Sequence, residues 1–212
     1  MKKVSMKKNW DNPRENTMPA AARVPASVQI GDVLVAPATV LAPMAGVTDT
    51  VFRRFIRNAS VFSGQESGDA RQLVEAPISN QQSGCGLIMT EFTSADGLSR
   101  MRESKRKRYL SYDEDEHPIS AQLFGSDPVT LAEAARIVEG AGFDMVDLNL
   151  GCPAKRVVSC NGGSGLLRDL PHIATIFERV RAAVRIPFTV KFRMGWSDRH
   201  GFPALHPQRQ RL

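Results

Sequence analysis

From Val28 onward the chain alternates between short apolar runs and amphipathic stretches, and that alternation predicts its architecture. Five runs have the length and bounds of buried strands: Val40–Met44, Leu87–Phe92, Ile119–Phe124, Met145–Leu150 and Phe188–Arg193. Helical stripes lie between them. Val51, Phe52, Phe55 and Ile56 follow a Thr48 or Asp49 cap, with Arg53, Arg54 and Arg57 around the rest of that helix. Asp127-Pro128 opens another helix at its cap and first-turn positions; Leu131, Ala134, Ala135 and Val138 form its apolar face, and Gly140 and Gly142 end it. Pro171 begins a third, with Ile173, Ile176, Phe177 and Val180 on one side. Two shorter runs, Val28–Ile30 and Val33–Val35, flank Gly31-Asp32 and predict a hairpin closing the bottom of a barrel.

The cadence of strand, loop and helix predicts right-handed βαβ units and an α/β fold. Such units wind into an open doubly wound sheet or a closed TIM (β/α)8-type barrel, and a closed barrel needs about eight strands. The sequence supplies about five, so the expectation is an incomplete barrel over residues 27–196. Residues 1–26 are polar, basic and aperiodic and read as a flexible arm. Residues 63–86 are rich in Ser, Gly, Gln, Asn and Pro and read as a surface insertion, with a short helical stretch around Ala70–Ala76. After Trp196 neither stripe nor alternation continues, and 197–212 reads as an atypical tail outside the fold.

Composition narrows the function classes. Of 212 residues, 42% are hydrophobic, enough for one packed domain. The formal net charge of +6 favours a polyanionic partner. Within Arg102 to Arg108 six of seven positions are charged, five of them positive, which suits either a solvated helix face or nucleic-acid contact. Three cysteines (Cys85, Cys152, Cys160) form no even framework and no Cys-x-x-Cys pair, so neither a disulfide scaffold nor a metal site is expected. No apolar run approaches a membrane span and no h-region follows the N-terminal lysines, so a cytoplasmic protein without membrane contact is expected.

The candidate chemistry sits in Asp147-Leu148-Asn149-Leu150-Gly151-Cys152-Pro153-Ala154-Lys155-Arg156. A strand ends there, Gly151 and Pro153 shape the turn, and one thiol is mounted on the loop. Loops after parallel strands surround a shared mouth, which is where α/β enzymes carry their reactive groups. The competing reading of Cys152 is a small buried hydrophobe; Asn149, Lys155 and Arg156 favour the reactive one.

Taken together, five motifs resemble the tRNA-dihydrouridine synthases, flavin-dependent TIM-barrel enzymes with a C-terminal helical domain. They are Ala42-Pro43-Met44-Ala45-Gly46-Val47-Thr48-Asp49, Thr90-Glu91, Ala121-Gln122-Leu123-Phe124-Gly125, Asp147 to Pro153 and Lys191-Phe192-Arg193-Met194-Gly195-Trp196. The resemblance runs from about Val40 to Trp196. It implies that Pro43, Met44 and Ala45 offer backbone and shape to the isoalloxazine of FMN. Gln122 would hydrogen-bond the flavin edge through both ends of its amide, unless it satisfies a strand end instead. Lys191 would stand near the flavin's pyrimidine side, unless it pairs with Glu91. Asn149 and Arg193 would lie near the target base; Lys155 and Arg156 suit tRNA phosphates on charge alone.

The implied reaction is reduction of the 5,6 double bond of a tRNA uridine by FMN, with NADPH as reductant. Cys152 is the implied catalytic residue, the general acid toward C5; a thiol with its ordinary pKa of about 8.5 still holds its proton near neutral pH. A monomer acting on tRNA is expected. The alternatives are another FMN barrel acting on free pyrimidines, and an inactive truncated fragment. The family's FMN-phosphate loops, its His-containing strand motif and its helical domain have no counterpart in the sequence.

Overall fold

The computed structural model describes residues 25–63, 84–193 and 195–196. The first described elements are strands β1 (Val28–Ile30) and β2 (Val33–Val35), then β3 (Val40–Leu41), helix α1 (Thr50–Ser63) and β4 (Leu87–Met89). There follow β5 (Thr93–Ser94), α2 (Ala95–Arg100), α3 (Glu103–Tyr109), β6 (Ile119–Phe124) and α4 (Pro128–Gly140). The last are β7 (Met145–Leu150), α5 (Lys155–Val158), α6 (Leu170–Ala183) and β8 (Phe188–Phe192).

The main sheet runs β3-β4-β6-β7-β8, with its strands paired in parallel and β5 adding to β6 further along. Spatial order repeats chain order. A doubly wound sheet reverses its order at a switch point, so the described strands form an arc of a barrel and the open-sheet alternative is excluded. β1 and β2 pair antiparallel around the turn at Gly31, whose φ of +61° suits glycine. The hairpin is the bottom plug: Val35 packs with Leu87 and Met145, the first residues of β4 and β7.

Alternation along each strand separates two faces. Ile88, Ile119, Ala121, Leu123, Val146, Leu148 and Leu150 join Leu98, Leu131, Ala134, Ala135, Val138, Ile173, Ile176 and Val180 from α2, α4 and α6 in one apolar core. Each fully buried aliphatic side chain there contributes about 1.5–3 kcal/mol. α4 meets its expectation closely: the Asp127 carboxylate accepts the Thr130 N–H at 2.7 Å, and its stripe is the buried face.

Several elements differ from expectation. β3 stops at Leu41 rather than Met44, because Pro43 has no N–H to donate and the Met44 carbonyl is taken by the Val47 and Thr48 N–H groups. The run Leu87–Phe92 divides: β4 ends at Met89, and the chain rejoins β6 as β5 beside Leu123 and Phe124. β8 ends one residue early, at Phe192. After α5 the chain forms a 3-10 segment, Gly163–Arg168, buried from Gly163 to Leu167.

α1 covers only part of its apolar stripe: Ile56 packs against the core, while the other edge of the stripe faces out. Val51 and Phe55 are 78% and 62% exposed, whereas Arg53 and Arg57 are buried. Arg53 pairs with the fully buried Glu116 and donates to the Thr48 and Ser111 carbonyls; Arg57 donates to the carbonyls of Cys85, Glu116 and Pro118. These partners supply the hydrogen bonds without which buried guanidinium groups are too costly. Burial still lowers the Arg57 pKa. The arm through residue 24, residues 64–83 with Ala70–Ala76, and the tail 197–212 lie outside the described residues.

Candidate functional site

The interior face of the arc has Met89, Ser120 and Met145 side by side low down and becomes more polar toward the C-terminal ends of the strands. Register aligns Gln122 of β6, Asp147 of β7 and Thr189 of β8 in one row, and Asn149 with Lys191 in the next. Gln122, Asp147 and Asn149 are all buried. Barrel interiors are ordinarily filled with branched apolar residues, so a polar upper layer makes this end of the strands the candidate site.

The layer is one continuous hydrogen-bond chain. Asp147 accepts from Thr189 Oγ1 and from Gln122 Nε2, each at 2.7 Å. Gln122 Oε1 accepts from Asn149 Nδ2 at 3.0 Å. Asn149 Oδ1 accepts the N–H groups of Gly151 and Cys152 at 3.0 and 2.9 Å. Desolvation raises the Asp147 pKa; hydrogen bonds from Gln122 and Thr189 and the charge of Lys191 oppose that rise.

Cys152 is half-buried, at the turn that Asn149 pins. Its carbonyl accepts from Ser164 N and Ser164 Oγ, both at 3.0 Å. Gly163, at φ +57°, packs so closely that a Cβ there would stand 2.6 Å from the Cys152 carbonyl oxygen. The loop is thus clamped from strand β7 on one side and from the 3-10 segment on the other. Of the other thiols, Cys85 is buried in the apolar core and Cys160 is exposed.

The remaining expected residues distribute around this centre. Pro43 is half-buried; Met44 and Ala45 are exposed in the turn after β3. Glu91 accepts the Gly46 N–H, and among the described residues no ion pair joins Glu91 to Lys191. Lys191 and Arg193 are exposed at the end of β8, and Lys155 and Arg156 on α5. Gln122 has each end of its amide engaged once inside the barrel, so a single N–H and a single lone pair remain for a ligand. α3, the basic segment, has no buried residue and is a solvated helix; its Arg106 donates to the Leu98 and Ser99 carbonyls.

Asp147 is the residue that sequence reasoning passed over. Its signal was present: a carboxylate inside an otherwise apolar strand, in phase with Asn149, two residues on. Among the described residues no group of three or more His, Cys, Asp or Glu could hold a metal, and no helix is long and apolar enough to cross a membrane.

An arc of parallel strands in chain order, plugged at the bottom and polar at the mouth, defines an α/β-barrel scaffold with its site at the C-terminal strand ends. The family model of dihydrouridine synthases (Dus) matches residues 40–204. The chain therefore belongs to the dihydrouridine synthase family. It is 36% identical over 172 residues to a probable tRNA-dihydrouridine synthase of Rickettsia conorii, covering 81% of this chain and 44% of the relative. It is also 36% identical over 170 residues to tRNA-dihydrouridine synthase B of Pseudomonas aeruginosa, covering 80% and 43%. The chain thus spans less than half the length of these curated relatives.

Proposed function

We propose that this chain carries the uridine-reducing site of a tRNA-dihydrouridine synthase, with Cys152 as the proton donor. The observation that carries the reading is the half-buried Cys152 in the turn after β7, its backbone N–H held by Asn149 Oδ1. The names of the relatives supply the substrate class.

The donor set fits FMN. Gln122 and Asn149 each keep one N–H after their internal bonds, and Lys191 adds an ammonium in register with Asn149. That inventory matches the carbonyl-rich edge of a flavin, while Pro43, Met44 and Ala45 supply backbone and shape beside it. Bound there and reduced by NADPH, FMN would supply hydride-transfer chemistry toward C6 of the uridine. Cys152 gives its proton to C5, and the resulting thiolate is reprotonated from solvent. Lys191 stabilises negative charge on the pyrimidine side, a contribution that a fixed cation makes without reorganising. Asn149 and Arg193 hold the extruded base, and Lys155 and Arg156 neutralise phosphates around it.

The test is turnover of the purified chain with FMN, NADPH and unmodified tRNA, scored as dihydrouridine. Cys152→Ala lowers product formation by about 10²- to 10⁴-fold, the usual contribution of a general acid, while NADPH-driven flavin reduction persists. Unchanged turnover in Cys152→Ala, or a chain that retains no flavin, overturns the reading.

A further inference from the structure

We propose that Asp147 is the positioning residue of this site: its carboxylate fixes the amide of Gln122, Gln122 fixes Asn149, and Asn149 holds the Cys152 turn. The inference rests on the reading above for its functional meaning, but its physical content concerns this chain alone.

Donors and acceptors fix the orientation of each amide in the chain. An amide can point either way, and the two ends of an Asn or Gln side chain are nearly the same shape. Here the choice is forced from both directions. Asp147 receives N–H and O–H donors on its two oxygens, so Gln122 turns its nitrogen downward and its oxygen toward Asn149. The backbone N–H groups of Gly151 and Cys152 can only donate, so Asn149 turns its oxygen toward the loop and its nitrogen toward Gln122. The two requirements agree only with an acceptor at position 147. With an apolar residue there, Gln122 keeps only the bond its oxygen accepts from Asn149, and its buried Nε2 loses its acceptor, so the amide is held at one end instead of two.

The arrangement also sets what the mouth can recognise. Asn149 Oδ1 spends both lone pairs on Gly151 and Cys152, so toward a ligand Asn149 has only an N–H. Its register partner Lys191 likewise has only donors. The upper row therefore selects a ligand edge made of acceptors, such as the carbonyl oxygens of a flavin or a pyrimidine. Asp147 lies one row below and enforces this polarity without being part of it.

Hydrogen exchange of the full chain without flavin tests the proposal. Asp147→Leu and Gln122→Leu should each raise exchange at the Gly151 and Cys152 amides by about tenfold or more, the effect of losing one well-made hydrogen bond. Rates are scaled to the α4 amides Leu131–Val138, which hold none of the substituted residues, so that general destabilisation cancels. Asp147→Asn should stay near wild type, because an Asn oxygen still accepts from Gln122 while its nitrogen donates to the Thr189 hydroxyl. The double variant Asp147→Leu/Gln122→Leu should exchange no faster than the worse single variant, since both cut one chain. If Asp147→Leu does not fold, Gln122→Leu and Asp147→Asn carry the test. Unchanged protection of Gly151 and Cys152, or fully additive effects, overturns it. Loss of flavin retention with the exchange pattern as expected counts against the proposed activity instead, so the two failures are distinguishable.

Discussion

The two faces of β7 differ in kind although they alternate residue by residue. Val146, Leu148 and Leu150 enter a core shared with α4 and α6, where any apolar side chain of suitable volume contributes through burial. Asp147 and Asn149 enter a chain of directional bonds that fixes which atom faces which. The outer face is therefore graded in its response to substitution, and the inner face is all-or-none. Stability resides mainly outside, and the geometry of the thiol inside.

The sharpest way to test that contrast is Leu148→Ala, a cavity in the fully buried outer face. It should cost about 2–5 kcal/mol by urea unfolding, with Gly151 and Cys152 exchange rising only in proportion to global opening. A local rise confined to those two amides would break the contrast.

Next in size is Asp127→Ala at the start of α4, which removes a cap worth about 1 kcal/mol. Hydrogen bonds from the Thr130 side chain and backbone hold the Asp127 carboxyl below its usual 3.8. A depressed folded pKa means that the contribution is complete above the ordinary carboxylate value and is lost as pH falls through the folded value. Urea midpoints of wild type and variant should therefore converge on acidification. Asp147 has the opposite sign. Its folded pKa is raised, so its ionisation lowers stability as pH rises from 3.8 through the folded value.

Smallest in stability is Lys191→Ala, an exposed inner-face position where the change should stay within about 0.5 kcal/mol. Its expected effect is on ligand: weaker FMN retention, measured by absorbance after gel filtration. Unchanged flavin content removes Lys191 from the cofactor site.

Much of the fold was legible where local and tertiary demands agree. β6 and β7 have the bounds their apolar runs predict, the β1–β2 hairpin turns at Gly31-Asp32, and α4 begins at its Asp-Pro cap. For α1 the helix and its Asp49 cap were legible, but not which face is covered. Its sequence shows two unlike faces, but periodicity states only that they differ, and the arginine face is buried because Glu116 and several carbonyls, most of them about sixty residues away, meet it. Strand ends at Leu41 and Met89 were likewise set by the turn bonds of Thr48 and by the pairing of β5, neither of which an apolar run encodes.

Of the site, the Cys152 loop and its neighbours Gln122, Asn149 and Lys191 were readable as residue types at strand ends. That Gln122 spends one donor and one acceptor on its neighbours, and that Asp147 orders the set, depends on register across three strands. By itself the sequence determined the alternation, the caps, the turn at Gly151 and the chemistry available, because these act over a few residues. Which helix face is covered, and which way each amide points, came from long-range packing, because a hydrogen bond's direction is set by its partner, and the partners arrive from distant segments.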